Sequence, residues 1–85
     1  MKDEKFYKTS DLALASYLSM NFPVRDLITE GVRGYFLFEP SEKLTEAIDK
    51  FFNDTAWVQP FAYYNAIKTL KNRVYDMKER QSESL

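Results

Sequence analysis

The segment VRDLITEGVRGYFLFE, residues 24–39, places the strongest constraint on how this chain folds. β-Branched and aromatic residues lie on both sides of a glycine-containing turn, which predicts a β-hairpin. Because side chains alternate along a strand, Phe36 and Phe38 lie on one face of the second strand, and Tyr35 and Leu37 lie on the other. Both faces are therefore apolar. A two-stranded hairpin is only marginally stable by itself, so we expect one face to pack on helices.

Three helices are predicted around this hairpin. The first lies within TSDLALASYLSMNF, with Thr9 or Ser10 as its N-cap, and it ends before Pro23 because the residue preceding a proline disfavours helical geometry. The second, SEKLTEAIDKFFND, has Ser41 as its N-cap and apolar residues at helical spacing. The third begins at Pro60, where the missing amide donor of proline costs nothing.

These elements predict an α+β fold in the order α-β-β-α-α, a single domain with the β-hairpin packed against three helices. Eighty-five residues are enough for one domain with one core. We expect that domain to span residues 6–80, between a flexible lead-in at 1–5 and a flexible tail at 81–85. In the first helix, Ser16 and Ser19 mark the side expected to face water. The core is expected to contain Leu14, Leu18, Phe36, Phe38, Leu44, Ile48, Phe51, Ile67, Leu70 and Val74.

The last helix, residues 61–80, carries two stripes of side chains when it is drawn at about 100° per residue. The first stripe is apolar and is predicted to face the core; it consists of Tyr63, Ile67, Leu70, Val74 and Met77. The second stripe, about a quarter turn away, mixes aromatic and basic side chains. It consists of Tyr64, Lys68, Lys71, Tyr75 and Lys78.

The second stripe admits two interpretations. As a functional surface, it would bind single-stranded nucleic acid, with tyrosines stacking on bases and lysines contacting phosphates. As a structural boundary, it would bury the tyrosine rings and keep the lysine ammonium groups in water. Three lysines form a weak phosphate track, and the net charge of −1 gives no global field that attracts nucleic acid. We therefore rank the boundary interpretation first.

The composition excludes the usual catalytic and metal-binding groups. The chain has no cysteine and no histidine, which removes thiolate zinc sites, cysteine nucleophiles and the commonest general base. Ser10 beside Asp11 and Ser41 beside Glu42 lack a base that would activate the hydroxyl, so helix capping explains them. We expect no enzyme activity, no cofactor and no metal. No apolar run approaches the roughly 20 residues that span a bilayer, so we expect a cytoplasmic protein without a membrane partner.

Three bulky side chains bear on function. Trp57 lies in the connector before the last helix, and we expect it to form a buried lid over the helix ends. Tyr35 and Leu37 are left in the open if all helices pack on the face of Phe36 and Phe38. Apolar residues exposed together usually mark a contact surface. The sequence therefore predicts a non-enzymatic interaction module that forms a homodimer or binds a partner protein through Tyr35 and Leu37, with nucleic-acid binding as the alternative.

Four segments also carry a resemblance to a known family: FYKTSDLALASYLSMNF, GYFLFE, AIDKFFND and FAYYNAIKTLKNRVY. Together they resemble a family of short bacterial, archaeal and phage proteins described as a domain of unknown function, family 5659. The similarity spans residues 6–75, and its most characteristic parts are KTSDL at residues 8–12 and the LKNR of the last helix. Family members commonly have a glycine after the first helix, where this chain has MNFPVRD. The resemblance implies one compact domain and no known reaction, cofactor or catalytic residue.

Overall fold

The computed structural model describes residues 5–83, except for the side chains of residues 81–83. Its elements are β1 (Tyr7–Thr9), α1 (Leu12–Ser19), β2 (Asp26–Glu30), β3 (Arg33–Phe38), α2 (Glu42–Phe52) and α3 (Pro60–Glu83). The predicted α+β class and the α-β-β-α-α order are confirmed, and β1 is an additional strand in front of them. The helix α3 continues into the segment predicted as a flexible tail. The rest of the two predicted flexible ends, residues 1–4 and 84–85, lies outside the described residues.

The three strands form one antiparallel sheet in the order β1-β3-β2, so the second strand of the hairpin is central. In this register Leu37 lies between Lys8 of β1 and Asp26 of β2. The strand β1 is only three residues long and ends two residues before the N-cap of α1. Its alternation of side chains is too short to be distinguished from the start of a helix. This third strand supports the hairpin, which would be only marginally stable by itself.

The hairpin loop contains two residues, Gly31 and Val32, between the paired residues Glu30 and Arg33. Gly31 has a φ of +64°, whereas Val32 has no positive φ. A positive φ at the first loop position alone is the pattern of a type II′ turn, which matches the right-handed twist of the flanking strands. The turn fixes the register of the hairpin and, with it, the face on which each side chain lies.

The N-cap of α1 is Asp11, so the prediction of Thr9 or Ser10 is wrong. The Asp11 carboxylate accepts a hydrogen bond from the Leu14 amide at 3.2 Å, and the Thr9 hydroxyl accepts one from the Asp11 amide at 3.1 Å. Because β1 extends through Thr9, the helix starts later than capping by Thr9 or Ser10 would allow. Ser41 is confirmed as the N-cap of α2.

The core lies between the three helices and the face of the sheet that carries Phe36 and Phe38. The predicted core residues that are buried are Leu14, Leu18, Phe36, Phe38, Leu44 and Leu70. The other predicted core residues are half-buried: Ile48, Phe51, Ile67 and Val74. Ala15 and Leu27 are buried core members that the prediction omitted. The helix α1 thus contributes three apolar residues to the core, Leu14, Ala15 and Leu18, although it has only eight residues in all.

Ser16 is buried in α1, so the prediction that it lies on the side facing water is wrong. Its hydroxyl finds no hydrogen-bond partner among the described residues. The helix α1 packs against both α2 and α3, so more than one side of it is covered. Ser19 is half-buried instead, and its hydroxyl donates to the Ser16 carbonyl at 2.8 Å.

We expect Ser16→Ala to stabilise the protein, because the substitution removes a buried hydroxyl that has lost its water and gained no partner. Leaving such a group unsatisfied costs about 1–3 kcal/mol, so the free energy of unfolding should rise by about 1 kcal/mol or more. Urea denaturation measures this change. Ser19→Ala is the matched control, since it removes a hydroxyl that does have a partner, and it should not stabilise. A destabilised Ser16→Ala variant would show that the Ser16 hydroxyl is bonded in the folded state.

Tyr63 ties α3 to α1. Its hydroxyl donates a hydrogen bond to the Ala13 carbonyl at 3.0 Å. Burial, and secondly the nearby Asp11 carboxylate, raise the pKa of Tyr63 above its ordinary value. Both causes favour the neutral phenol, which is also the form that can donate this bond.

This pKa shift makes the stability depend on pH in the alkaline range. A raised folded pKa means that the contribution is complete below the unfolded tyrosine pKa of about 10 and is lost as pH rises through the folded pKa. At pH 7, Tyr63→Phe should be less stable than the wild type by about 0.5–1 kcal/mol, because the bond to Ala13 is missing. Above pH 10 this difference should shrink. Denaturation of both proteins at neutral and alkaline pH measures it, and a difference that does not change with pH contradicts the assignment.

Candidate interaction surfaces

On the outer face of the sheet, opposite the helices, the apolar side chains are less exposed to water than the sequence predicts. Leu37 is only 3% exposed, and Tyr35 is half-buried. The expectation that this pair stands in the open is therefore wrong for Leu37. Contact of Tyr35 and Leu37 with a partner protein stays a prediction. The exposed apolar surface on which this prediction was based is not present, because Leu37 is buried.

The side chain of Lys8 crosses this outer face from one edge strand to the other. Its Nζ lies 2.7 Å from Oε2 of Glu30 and 4.9 Å from the centroid of the Tyr35 ring. Because β3 separates β1 from β2, this ion pair spans the central strand, and the aliphatic stem of the lysine lies over the sheet. We call Lys8, Glu30 and Tyr35 the lysine strap. Sequence reasoning missed it because it depends on β1.

The most exposed large apolar side chains near the α2–α3 connection are aromatic. Trp57 is 93% exposed, so the prediction of a buried lid is wrong. Phe52 at the end of α2 is exposed as well, and so are Phe61 and Tyr64 in the first turns of α3. We call Phe52, Trp57, Phe61 and Tyr64 the aromatic surface.

The lengths of the helices explain why these aromatic residues stay outside the core. The helix α1, with 8 residues, is about 12 Å long, whereas α3, with 24 residues, is about 36 Å long. Among the described side chains of α3, only Leu70 near its middle is buried. Phe51 does reach the core boundary, with its ring 5.7 Å from that of Tyr17. Phe52 packs edge-on against Phe51 at 5.3 Å and stays largely exposed.

A groove of about 350 Å³ lies between the C-terminal half of α3 and the hairpin loop. Arg33 and Val32 line it on the hairpin side, and Lys71, Tyr75 and Lys78 line it on the side of α3. Val32 is 86% exposed and Tyr75 is 65% exposed. We call this site the basic groove.

The structure divides the predicted aromatic and basic stripe of α3. Lys71, Tyr75 and Lys78 reach the basic groove, whereas Tyr64 and Lys68 lie nearer the N-terminus of the helix. There the Lys68 Nζ lies 5.4 Å from the centroid of the Tyr64 ring. Both tyrosines of the stripe are more than half exposed, so the boundary interpretation, which buries their rings, is wrong on that point.

Positive charge is concentrated in the basic groove. Three of its lining residues are cationic, and none of the described residues that line it is acidic. The ion pairs given by the described residues lie elsewhere, at Lys8–Glu30 and Arg25–Glu39. The Arg33 guanidinium donates only a long hydrogen bond, 3.4 Å, to the Ser10 hydroxyl. Sequence reasoning missed Arg33 because only the fold brings the hairpin beside α3.

Neither a metal site nor a membrane-spanning helix is found in the part of the chain that the structure describes. No group of three or more histidine, cysteine, aspartate or glutamate side chains comes together there in a way that could hold a metal ion. Within the same residues, every helix is too short or too polar to cross a membrane. Besides the aromatic surface and the basic groove, a cavity of about 500 Å³ lies between the end of α1 and α3, and Met20, Ala66 and Leu70 are among the residues that line it.

Comparison with known proteins gives one match. The family model described as Domain of unknown function (DUF5659) matches residues 4–76. Searches of curated proteins and of solved structures gave no significant match. The matched segment contains the whole aromatic surface, while Lys78 of the basic groove lies just beyond it.

Proposed function

The chain belongs to the family described as Domain of unknown function (DUF5659), as its resemblance predicted, and for this member we propose a non-enzymatic protein-contact module. Its contact surface is the aromatic surface, and its partner is a second copy of the chain or another protein. This proposal keeps the function expected from the sequence and moves the contact from the outer face of the sheet to the α2–α3 connection.

The exposure of Trp57 is the observation that carries the proposal. A fully exposed tryptophan is unfavourable in an isolated soluble domain, because its large apolar ring stays in contact with water. Three more exposed aromatic residues lie on the helix turns that flank this connection, Phe52 at the end of α2 and Phe61 and Tyr64 at the start of α3. Exposed apolar groups that lie together mark contact surfaces, and tryptophan and tyrosine are enriched among the residues that dominate binding energy.

The composition supports the non-enzymatic part of the proposal. No histidine or cysteine is present anywhere in the sequence, so the commonest general base and the most nucleophilic side chain are missing. Ser41 is used as a helix cap, and Ser10 has the Arg33 guanidinium as its hydrogen-bond partner and no base. An aromatic contact surface needs none of these groups.

Trp57 is the only tryptophan in the chain, so its fluorescence reports directly on this surface. If the partner is a second copy, sedimentation should show a dimer whose population rises with concentration, and the Trp57 emission should shift to the blue in parallel. The double variant Trp57→Ala/Phe61→Ala should weaken association at least about tenfold, as expected when residues dominant in an interface are truncated. Both side chains are exposed, so the variant should unfold at nearly the wild-type denaturant concentration.

The matched control is Tyr75→Ala, which removes another exposed aromatic side chain of α3 far from the connection. It should leave association unchanged. If the partner is a different protein, a photo-crosslinking amino acid in place of Trp57 should capture one defined product in cells, and the same amino acid in place of the exposed Lys43 should not. A protein that is monomeric at all concentrations and gives no product specific to position 57 contradicts the proposal.

A further inference from the structure

We infer that the basic groove is a binding site for single-stranded nucleic acid, in which Arg33, Lys71 and Lys78 each contact a backbone phosphate and Tyr75 stacks on an adjacent base. This inference concerns a different surface and a different class of ligand from the protein contact proposed above. It rests on the juxtaposition of the hairpin loop and α3, which combines a cation from the hairpin with the cations of the helix.

The first step is the charge of the groove. The guanidinium of Arg33 and the ammonium groups of Lys71 and Lys78 come from two elements and line one cavity. Among the described residues, no acidic side chain lines the groove and no ion pair neutralises these three cations. Like charges held together repel one another, so the arrangement favours an anionic ligand over the empty groove. A phosphate diester supplies that charge, and the planar guanidinium of Arg33 matches its oxygens.

The second step is the pair of apolar groups at the groove. Tyr75 and Val32 are both largely exposed, one on α3 and the other in the hairpin loop. An exposed tyrosine ring beside a phosphate site provides a platform on which a base can stack, and Val32 supplies an apolar surface on the facing element. Bases are free to stack in this way when they are splayed out of a single strand, whereas in a duplex they are already stacked.

The third step is the continuation of the site along α3. Lys68 and Tyr64 follow toward the N-terminus of the helix on the same exposed stripe, and they repeat the pairing of a cation with an aromatic ring. Tyr64 and Tyr75 are 11 residues apart, which corresponds to about 16 Å along the helix axis. A single strand that leaves the basic groove therefore meets a second stacking platform. An acidic peptide without aromatic side chains could use the cations but would not stack on the two tyrosine rings.

The direct test is a titration of the full chain with a fluorescein-labelled oligodeoxythymidylate of about 15 nucleotides, followed by anisotropy. Binding should be detectable at low salt and should weaken as salt is raised. Contacts to three or four phosphates predict a slope of about −2 to −3 for the logarithm of the binding constant against the logarithm of the salt concentration. Arg33→Gln should make this slope shallower by about 0.7, the share of one phosphate contact on a single strand.

The variants separate the groove from general positive charge. Arg73→Gln is the matched control, because it removes the same charge from the same helix at a residue that does not line the basic groove. It should weaken binding less than Arg33→Gln does and leave the salt slope nearly unchanged.

Tyr75→Ala should lower the affinity at least about fivefold, the lower end of the effect of removing one base-stacking side chain. Trp57→Ala should leave binding unchanged, so the failure of this inference is distinguishable from failure of the proposed protein contact.

Two further probes identify the class of ligand. Poly-glutamate carries negative charge without bases, and vesicles of phosphatidylserine and phosphatidylcholine carry phosphate without bases. Both should bind more weakly than the oligonucleotide, and Tyr75→Ala should not affect them. The inference is overturned by any of three results: no oligonucleotide binding at low salt, equal losses from Arg33→Gln and Arg73→Gln, or vesicle or poly-glutamate binding as strong as that of the oligonucleotide.

Discussion

Three consecutive residues of the central strand, Phe36, Leu37 and Phe38, are buried, so a chain of 85 residues has to cover both faces of one sheet. Side chains alternate along a strand, which places the two phenylalanines on one face and the leucine on the other. The three helices pack on the face of the phenylalanines. The other face is crossed by the side chain of Lys8, which bonds to Glu30 over the central strand. An exposed ion pair is worth little by itself, so the lysine matters chiefly through the apolar stem that covers the sheet.

The consequence for α3 is that most of its surface is not needed for the core. A domain of this size buries only about 60–65% of the surface of its unfolded chain, and a long helix cannot be covered along its whole length. Leu70 anchors α3, and Tyr63 bonds it to α1. The two surfaces that we describe lie toward opposite ends of this helix, with the aromatic surface at its start and the basic groove beside its C-terminal half. The residues of the basic groove are separate from those of the aromatic surface, and Tyr64 is the one side chain that both proposals use.

The sequence was sufficient to predict the hairpin, the three helices and the cap at Ser41, because each of these depends on local patterns of side chains. It was not sufficient for β1, whose three residues alternate too briefly to be separated from a helix start. Because β1 is not predicted from the sequence, neither is the position of Lys8 opposite Leu37. Leu37 is therefore expected to be exposed. Trp57 was misplaced for a different reason: apolar character predicts burial, but a connector residue is buried only where two elements close over it.

The same limits apply to the candidate sites. Helical spacing was enough to place Lys71, Tyr75 and Lys78 on one exposed stripe of α3. It could not show that Arg33 lies across from them, since that depends on how the hairpin packs on the helix. The burial of Ser16 could not be predicted from a single apolar side of α1. Two helices, α2 and α3, pack against α1, so a second side of it is covered as well.

The chain buries Leu37 and leaves Trp57 in water. One measurement on a dilute, monomeric sample tests both statements together, namely the broadening of NMR signals by a soluble paramagnetic gadolinium chelate. We expect strong broadening of the indole N–H signal of Trp57 and almost none of the methyl signals of Leu37. Protected Trp57 signals together with strongly broadened Leu37 signals would contradict it, because the open apolar surface would then be the outer face of the sheet.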